Sequence, residues 1–370
     1  MSLDFLYLDQ IKTLESQAES YLRSGDQENA RKTFEKIAML YEKASSVAKS
    51  PSTRDLYMRK AREYREKSLS PRKVLKEGSQ GDETDYRVIA ESMIERTDLS
   101  WDDVVGLEDV KEVLRRAVFM ARAKPDKPVK LDPPRSVLLF GPPGTGKTLL
   151  ASVASNSVSA TFFNADVSKI LSKYVGDSPK TVDALFSLAR ERAPSLIFFD
   201  EIDSITVSRE EGQNVGTGLL QKLLVEMDGF RKSSSLVIIM AGTNRPWALD
   251  EAVVNRFDYR IYVPPPDLEA RKGIFRLELE KKGFEIEGDY DDLARRTEGY
   301  TGREISHICR KAVMFMIKRL NPDMRDEVKE IRIGKIKRDE LYRAIQDTRP
   351  SVSGEILKKY QEWYERYGSS

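Results

Sequence analysis

Gly141-Pro142-Pro143-Gly144-Thr145-Gly146-Lys147-Thr148 is the stretch of this 370-residue sequence that decides the fold. It follows the apolar run Ser136 to Phe140 and precedes a helical stretch that starts at Leu149, which is the context that the pattern G-x-x-x-x-G-K-T requires. The glycines let backbone N–H groups turn inward around phosphate oxygens, and the N-terminus of the following helix adds partial positive charge. The sequence therefore predicts that Gly141 to Leu149 bind a nucleoside triphosphate.

Side chains in this stretch and at the end of another apolar run carry the predicted chemistry. Lys147 is predicted to reach the β- and γ-phosphates of ATP, and the Thr148 hydroxyl to ligate Mg²⁺. Asp200 and Glu201 end the apolar run from Leu196, at the strand end where open α/β sheets bind ligands. Asp200 fits the carboxylate that organises Mg²⁺, and Glu201 fits the base that deprotonates the attacking water, typically worth about 10²- to 10⁴-fold. A helix cap is the alternative for this acidic pair.

The fold class follows from five short apolar runs that alternate with helical patterns between Trp101 and about Pro264. Continuous apolarity indicates burial on both faces, so we expect an α/β domain with a five-stranded, mostly parallel sheet between helix layers. The predicted strands are Ser136 to Phe140, Thr161 to Ala165, Leu196 to Phe199, Leu236 to Ala241 and Arg260 to Val263. Asn244 follows the fourth strand and is predicted to hold the attacking water or the γ-phosphate, with a plain turn residue as the alternative.

Helical segments are predicted on either side of this α/β domain, which is assigned to 98–265. Residues 1–70 carry apolar stripes at helical spacing with short connections, which favours a three-helix bundle. Residues 71–97 include Gly78-Ser79-Gln80-Gly81-Asp82 and are predicted to be a flexible linker, with a short helix near Tyr86 to Glu95. Pro264-Pro265-Pro266 cannot continue a central strand, so a helical small domain is predicted for 266–345 and a C-terminal helix for 346–370.

Composition argues against several other classes of protein. With Lys+Arg 62 and Asp+Glu 60, the chain lacks the charge excess that would mark nucleic acid or an anionic membrane as its main partner. One cysteine, Cys309, and one histidine, His307, exclude disulfide frameworks and Cys/His zinc sites by count. The sequence starts without a signal-peptide pattern, and no apolar run approaches the ~20 residues of a membrane span. We therefore expect a cytoplasmic protein that meets membranes only indirectly.

Five motifs lie in order between Trp101 and Gly302. They are Trp101-Asp102-Asp103-Val104-Val105-Gly106-Leu107, Gly141 to Thr148, Phe199-Asp200-Glu201-Ile202-Asp203, Gly242-Thr243-Asn244-Arg245-Pro246 and Gly299-Tyr300-Thr301-Gly302. Together they resemble the AAA family of ATPases. The resemblance implies a P-loop large domain, a helical lid and a ring-shaped homo-oligomer, a hexamer. It also implies that Val105, Gly106 and Gly302 contribute to the nucleotide site.

Three further stretches narrow the resemblance. Pro246-Trp247-Ala248-Leu249-Asp250, Arg260-Ile261-Tyr262-Val263-Pro264 and Thr348-Arg349-Pro350-Ser351-Val352 are similar to the branch that disassembles ESCRT-III polymers. The N-terminal helices resemble the microtubule-interacting-and-trafficking (MIT) domain in Ala30-Arg31, Tyr41, Lys43-Ala44 and Lys60 to Tyr64. The resemblance implies ESCRT-III-like partners that bind through this MIT-like domain.

The connection between two lid helices is shorter than in eukaryotic members of that branch. About fifteen residues separate Leu320 from the helix that starts at Ile336, so the β-domain inserted there in eukaryotic members has no room. This shorter form is similar to the archaeal CdvC type, which acts with CdvB-type proteins in cell division.

One position departs from the pattern of that branch. Its members carry two adjacent arginines before Phe-Asp/Glu, whereas this chain reads Asn255-Arg256-Phe257-Asp258. The resemblance implies that Arg256 is an arginine finger for a neighbour's γ-phosphate, worth about 10³- to 10⁵-fold in GTPases. Because Asn255 replaces the second arginine, hydrolysis is expected to depend on assembly, but more weakly.

Ser172-Lys173-Tyr174-Val175-Gly176-Asp177-Ser178-Pro179 resembles the family's pore loop. The resemblance implies that Lys173, Tyr174 and Val175 contact an extended substrate, and a planar aromatic ring suits this task because it offers large contact area with few rotors. A packed tyrosine ahead of a helix led by Pro179 is the alternative. A second pore loop is expected at Arg209 to Gly218.

Three functions remain open on the sequence. The first is ATP-driven disassembly or remodelling of ESCRT-III-like polymers in cell division or membrane scission. The second is microtubule severing or general protein unfolding, since related rings share the motor. The third is a nucleotide-gated scaffold without turnover, against which the presence of Glu201 and Arg256 argues.

Overall fold

The computed structural model describes most of the chain in two units. The described residues are 10–11, 14–15, 17–18, 20–22, 24–47, 51–69, 80–122, 134–167, 170, 178–205, 214–230, 235–322 and 331–369. The units are Met1–Asp85 and Tyr86–Ser370.

Helices α1 (Gln27–Val47) and α2 (Pro51–Leu69) pack against each other in the first unit, and the described positions of 10–22 are also helical. Asp26 caps α1, because its carboxylate accepts a hydrogen bond from the Asn29 N–H at 3.2 Å. Apolar side chains form the core of the unit: Ile11, Ala18, Leu22, Ala30, Phe34 and Ile37. The predicted N-terminal helices are therefore present.

A six-stranded sheet lies at the centre of the second unit. Its strands are β1 (Ile94–Glu95), β2 (Ser136–Phe140), β3 (Thr161–Asp166), β4 (Ser195–Asp200), β5 (Val237–Thr243) and β6 (Tyr259–Tyr262). Their order is β1-β3-β4-β5-β2-β6, and every neighbouring pair is parallel except β1 with β3. The predicted five-stranded parallel sheet is confirmed, and β1 is an additional edge strand that the sequence did not indicate.

Helices cover both faces of this sheet. They are the part of α3 (Gln80–Glu91) that starts at Tyr86, α4 (Glu108–Arg122), α5 (Lys147–Ser157), α6 (Ser178–Glu191), α7 (Asn214–Phe230) and α8 (Glu251–Val254). Along β2, Val137 and Leu139 face the core shared with α4 and α5, whereas Leu138 and Phe140 face the core shared with α6 and α7. Burial on both faces explains why the strands are continuously apolar.

Four helices after β6 form a separate core. They are α9 (Leu268–Glu278), α10 (Tyr290–Arg296), α11 (Gly302–Leu320) and α12 (Arg338–Gln346). Asp267, which follows the three prolines, caps α9 by accepting a hydrogen bond from the Ala270 N–H at 2.8 Å. Phe275, Ile305, Met316 and Leu341 are fully buried in this core. The predicted helical lid is confirmed.

The last helix, α13 (Gly354–Tyr367), returns from the lid to the sheet. Tyr360 and Trp363 are buried in the same core as Phe140, and the Trp363 and Phe140 rings meet edge-on with centroids 4.4 Å apart. Beyond the helix, the Ser369 N–H donates to the carbonyl oxygen of Arg260 in β6 at 2.8 Å. The C-terminal helix is therefore part of the α/β core.

In the predicted linker 71–97, the described residues 80–97 include α3 and β1, and α3 overlaps the short helix predicted near Tyr86 to Glu95. Ala90 is fully buried in the sheet core. The Arg87 guanidinium donates to both carboxylate oxygens of Glu191 in α6, at 3.0 and 2.8 Å. The reason is tertiary: an isolated helix of this length is marginal, and the contacts with α6 and with the sheet core stabilise it.

The connection between α11 and α12 is closed by side-chain hydrogen bonds. The Asn321 amide donates to the carbonyl oxygen of Arg332 at 3.0 Å, and the Arg332 N–H donates to Asn321 Oδ1 at 2.9 Å. These bonds hold Arg332 beside the C-terminal end of α11. In the part of the chain that the structure describes, no helix combines the length and apolar character needed to cross a membrane.

Candidate nucleotide site

The predicted phosphate-binding loop follows the C-terminal end of β2. The Gly141 N–H donates to the carbonyl oxygen of Thr243 at 3.3 Å, so the loop starts in register with β5. A Cβ at Gly141 would lie 2.2 Å from the carbonyl oxygen of Val263, and the φ angle of Gly141 is 154°. Only glycine fits there, because Val263, the residue that follows β6, lies directly against the loop backbone. Among the other predicted loop residues, Pro142 and Thr145 are buried, Pro143 is exposed, Gly146 precedes α5, and Leu149 is half-buried.

Lys147 is a buried cation at the start of α5, with 6% of its surface exposed. Its Nζ donates to the carbonyl oxygens of Gly141 and Pro142, both at 2.8 Å. Burial lowers the pKa of Lys147 to about 8, although the Asp200 carboxylate acts in the opposite direction. A phosphate would give this ammonium group a charged partner, which the two neutral carbonyls do not.

Thr148 and Asp200, the two predicted metal-binding side chains, are brought together by the fold. Thr148 Oγ1 donates to Asp200 Oδ2 at 3.0 Å across 52 positions of sequence. Two adjacent ligands of an octahedral Mg²⁺ at 2.0–2.1 Å are separated by about 2.9 Å, and Mg²⁺ prefers oxygen ligands. The spacing and chemistry of these two oxygens therefore fit the predicted ion.

Glu201 follows Asp200 in a strained backbone conformation. Its φ angle is 53°, in the left-handed region, which costs a non-glycine residue roughly 1–3 kcal/mol. The Glu201 N–H donates to Asp200 Oδ1 at 3.0 Å, and the Ile202 N–H donates to the carbonyl oxygen of Gly242 at 3.1 Å. These bonds hold the turn and leave the Glu201 side chain exposed beside the Asp200 carboxylate.

The end of β5, where Asn244 lies, is next to the end of β4. A Cβ at Gly242 would lie 3.3 Å from Asp200 Oδ1. Buried Asp203 ties the two strand ends together, because it accepts hydrogen bonds from Thr243 Oγ1 at 2.8 Å and from Arg245 Nε at 2.9 Å. Sequence reasoning placed Asp203 within a motif but assigned it no role. A third carboxylate, three positions after Asp200, was the available signal.

Val105 and Gly106 pack on the first lid helix. A Cβ at Gly273 in α9 would lie 2.4 Å from Val105 Cγ1, and a Cβ at Gly106 would lie 2.7 Å from the Ala270 side chain. Sequence reasoning missed Gly273, whose packing role only the fold reveals. The segment before α4 is thus fixed against the lid.

Gly302 brings the lid to the phosphate-binding loop. The Arg303 N–H donates to the carbonyl oxygen of Gly144 at 3.2 Å, and a Cβ at Gly302 would lie 3.5 Å from that same oxygen. A Cβ at Gly144 would lie 2.8 Å from Arg303 Cβ. A rotation of the lid must therefore move a direct contact of the loop.

A cavity of about 470 Å³ lies beside Val105 and Gly106. Its walls are Val105, Gly106, Leu107, Glu108, Asp109, Val110, Pro264, Pro265, Pro266, Asp267, Glu269 and Ala270. None of these wall residues belongs to the phosphate-binding loop. The cavity therefore lies beside the predicted nucleotide site and does not include the part of the site that would bind the phosphates.

Arg256 lies at the opposite end of the parallel strands from the loop of its own chain. Its carbonyl oxygen accepts a hydrogen bond from Ser136 Oγ at 2.9 Å, and Ser136 is the first residue of β2. Gly141 follows the last residue of that strand, roughly 17 Å away at about 3.3 Å per residue. Arg256 Nε lies 2.8 Å from Asp228 Oδ1 of α7. The fold does not bring Arg256 to the other predicted site residues of the same chain.

Three predicted substrate contacts lie outside the described residues. They are Lys173, Tyr174 and Val175. Most of the predicted second pore loop, Arg209 to Gly218, also lies outside the described residues. Their roles stay predictions.

Family models match three segments of the second unit. Residues 137–265 match the ATPase family associated with various cellular activities (AAA). Residues 288–330 match an AAA+ lid domain, and residues 324–368 match the Vps4 C terminal oligomerisation domain.

Several known proteins are similar to most of the chain. Fidgetin-like protein 1 of Drosophila melanogaster is 37% identical over 289 residues, covering 76% of this chain and 54% of that protein. The A-like 1 form of the katanin p60 ATPase-containing subunit of Mus musculus is 34% identical over 356 residues, covering 90% and 73%. Vacuolar protein sorting-associated protein 4B of Mus musculus is 42% identical over 232 residues, covering 62% and 52%. The chain thus spans about half the length of the first and third of these relatives.

Solved structures have the same fold. The FIGL-1 AAA domain in complex with ADP matches with a TM-score of 0.69 at 33% identity, covering 78% of this chain and 98% of that one. A structure described as the structural basis for katanin self-assembly matches with a TM-score of 0.62 at 31% identity, covering 76% and 96%. With a phosphate-binding loop facing an acidic strand end, and 34% identity across 73% of a katanin relative, the chain belongs to the AAA family of ATPases.

Proposed function

We propose that this chain hydrolyses ATP, and that the hydrogen bond between Thr148 and Asp200 marks the position of Mg²⁺. The observation that carries the proposal is the 3.0 Å contact between these side chains beside the buried Lys147. A bound Mg²⁺ would supply charge neutralisation on the triphosphate. The ADP complex of the FIGL-1 domain supports an adenine nucleotide as the ligand.

Each predicted site residue has a distinct role in the proposed hydrolysis of ATP. Lys147 exchanges its two carbonyl partners for phosphate oxygens and so holds the β- and γ-phosphates. Glu201 accepts a proton from water while the water oxygen attacks the γ-phosphorus, and the bond to the ADP oxygen breaks. Asn244, on the neighbouring strand end, holds the water in line. Val105, Gly106 and Gly302 enclose the nucleotide between the lid and the loop.

The Glu201→Gln variant tests this assignment. We expect it to bind ATP with unchanged affinity and to lose turnover by about 10²- to 10⁴-fold, because the amide cannot take the proton. Nucleotide binding by fluorescence and phosphate release are the measurements. Glu298→Gln, an exposed glutamate in the lid, is the matched control. Wild-type turnover in Glu201→Gln would overturn the role of Glu201, and no turnover in the wild type would favour the nucleotide-gated scaffold.

We further propose that the active form is a ring-shaped homo-oligomer, a hexamer, in which Arg256 serves the neighbouring site. Two observations support this: Arg256 lies about a strand length from its own loop, and residues 324–368 match an oligomerisation domain. With Asn255 in place of a second arginine, one guanidinium per interface would stabilise the charge on the γ-phosphate.

For the substrate, we propose ESCRT-III-like polymers, recruited by the N-terminal helices in the cytoplasm at division sites or membrane necks. The support is the 42% identity to vacuolar protein sorting-associated protein 4B and the match to the Vps4 C terminal domain. The packing of α1 against α2 would form a groove for an amphipathic helix or an extended peptide from such a polymer. Proteins of the CdvB type are the proposed partners.

Microtubule severing is a second candidate, because the katanin relative aligns over 90% of this chain. A sedimentation assay distinguishes the two functions. Polymerised ESCRT-III-like protein and microtubules are each incubated with the wild-type chain and ATP, and the polymer that remains in the pellet is measured. We expect loss of the ESCRT-III-like pellet with wild type only, and Glu201→Gln serves as the control. Loss of the microtubule pellet alone would replace the first substrate with the second.

A further inference from the structure

Helix α13 brings a buried tyrosine against the strand end that carries Asn244. Tyr360 has 2% of its surface exposed. Its ring packs on Tyr262 of β6, with centroids 5.9 Å apart, and on Trp247 in the turn after β5, with centroids 5.0 Å apart. Because aromatic contacts from two other segments hold the ring, the position of its hydroxyl is well defined.

The Tyr360 hydroxyl donates a hydrogen bond to the backbone carbonyl oxygen of Asn244, across 116 positions of sequence. Burial raises the pKa of Tyr360, so the hydroxyl keeps its proton and remains a donor at physiological pH. The bond therefore links the last helix of the chain directly to the candidate site.

The residues on both sides of Asn244 are already fixed. Thr243 Oγ1 donates to Asp203 at 2.8 Å and accepts from the Arg245 N–H at 3.0 Å. Arg245 Nε donates to the second oxygen of Asp203 at 2.9 Å. Asn244 thus lies between two residues that are hydrogen-bonded to Asp203 at the acidic strand end. The carbonyl oxygen of Asn244 itself accepts the hydrogen bond from Tyr360.

We infer that Tyr360 is a positioning residue for hydrolysis, because its hydroxyl fixes the backbone from which the Asn244 amide reaches the attacking water. The inference rests on the proposed function, in which Asn244 holds that water. Loss of the bond lets the Asn244 peptide move, so the amide is misplaced for the chemical step. The contacts of Lys147 with the phosphates do not depend on this bond, so ATP binding is preserved.

The Tyr360→Phe variant removes the hydroxyl and keeps the ring. We expect kcat to fall about tenfold, the scale of one lost hydrogen bond, with KM for ATP unchanged. Tyr364→Phe is the matched control, because Tyr364 lies one turn later in α13 and its ring also contacts Phe140 and Tyr262. We expect Tyr364→Phe to keep wild-type kcat. Incorporation of 4-aminophenylalanine at position 360 restores a donor and is expected to restore kcat.

Two further measurements distinguish a positioning role from packing and from assembly. Tyr360→Phe in the Asn244→Ala background is expected to cause no additional loss of kcat, because both changes act on the same water. If Tyr360→Phe alone keeps wild-type kcat, or if raising the protein concentration restores its turnover, the positioning role is overturned and only packing or assembly remains. If Asn244→Ala itself keeps wild-type kcat, the proposed role of Asn244 fails instead, and the inference fails with it.

Discussion

At the scale of the residue, the environment of Lys147 favours the binding of a negatively charged ligand. The side chain is buried, and its hydrogen-bond partners are the neutral carbonyl oxygens of Gly141 and Pro142. Burial lowers the pKa of Lys147 from its ordinary 10.5 to about 8, which means that the folded, nucleotide-free site holds the charged form weakly. A triphosphate reverses this preference, because its negative charge stabilises the ammonium form.

ATP binding should therefore be coupled to proton uptake by Lys147. Below pH 7 the lysine is already protonated and uptake is near zero, whereas at pH 9 the average uptake approaches one proton per chain. Apparent affinity should fall as pH rises through about 8. Calorimetry in two buffers of different ionisation enthalpy, at pH 7 and pH 9, measures the uptake.

The control for proton uptake is Lys147→Arg, since a guanidinium stays charged throughout this pH range. We expect that variant, where it still binds ATP, to take up no proton at this position. Equal uptake by the wild type at pH 7 and pH 9 would contradict the assignment.

At the scale of the element, α3 contains Tyr86, the first residue of the second unit. It carries Ala90 into the sheet core while Val88, two positions earlier, is 59% exposed. The helix also pairs Arg87 with Glu191 of α6, but both of these groups are exposed and contribute little through the ion pair. Burial of Ala90 is thus the contact through which this helix supports the fold.

We expect Ala90→Asp to destabilise the second unit by at least about 2 kcal/mol, because it buries an unpaired carboxylate. Val88→Asp introduces the same carboxylate at an exposed site of the same helix and should be nearly neutral. Urea unfolding of the full chain, followed by tryptophan fluorescence, reports on the second unit because its tryptophans, 101, 247 and 363, all lie there. Equal midpoints for the two variants would show that α3 is not part of the cooperative unit.

At the scale of the whole molecule, the position of Arg256 bears on the proposed assembly. Its backbone is bonded to the first residue of β2, whereas the phosphate-binding loop follows the last. The proposed role of Arg256 in hydrolysis therefore predicts that it acts in the site of another copy. The ring proposed above would bring such a copy to the site.

Mixing two inactive variants tests whether Arg256 acts between protomers. Arg256→Ala and Glu201→Gln should each have little activity alone. In a random equal mixture, about a quarter of the interfaces pair an intact Glu201 with an intact neighbouring Arg256, so turnover should partly recover. Phosphate release measured across mixing ratios should peak near equal amounts. No recovery at any ratio would place Arg256 in the site of its own chain.

The sequence by itself determined the features of this protein that depend on residues close together in the chain. The loop from Gly141 to Thr148, the acidic end of β4 and the five apolar strands are each contiguous, so their residue types predicted their structure. The same holds for the stop at the three prolines and the cap at Asp267. These features depend on interactions within a few positions of the chain.

Tertiary structure alone decided the contacts between distant segments. Three examples join residues that are tens to more than a hundred positions apart. They are the 3.0 Å hydrogen bond from Thr148 to Asp200, the hydrogen bond from Tyr360 to Asn244, and the packing of Ala90 in the sheet core. Such contacts depend on how the whole chain packs, and residue types near either partner do not specify them. Sequence therefore determined which chemical groups this protein has, and packing decided which of them meet.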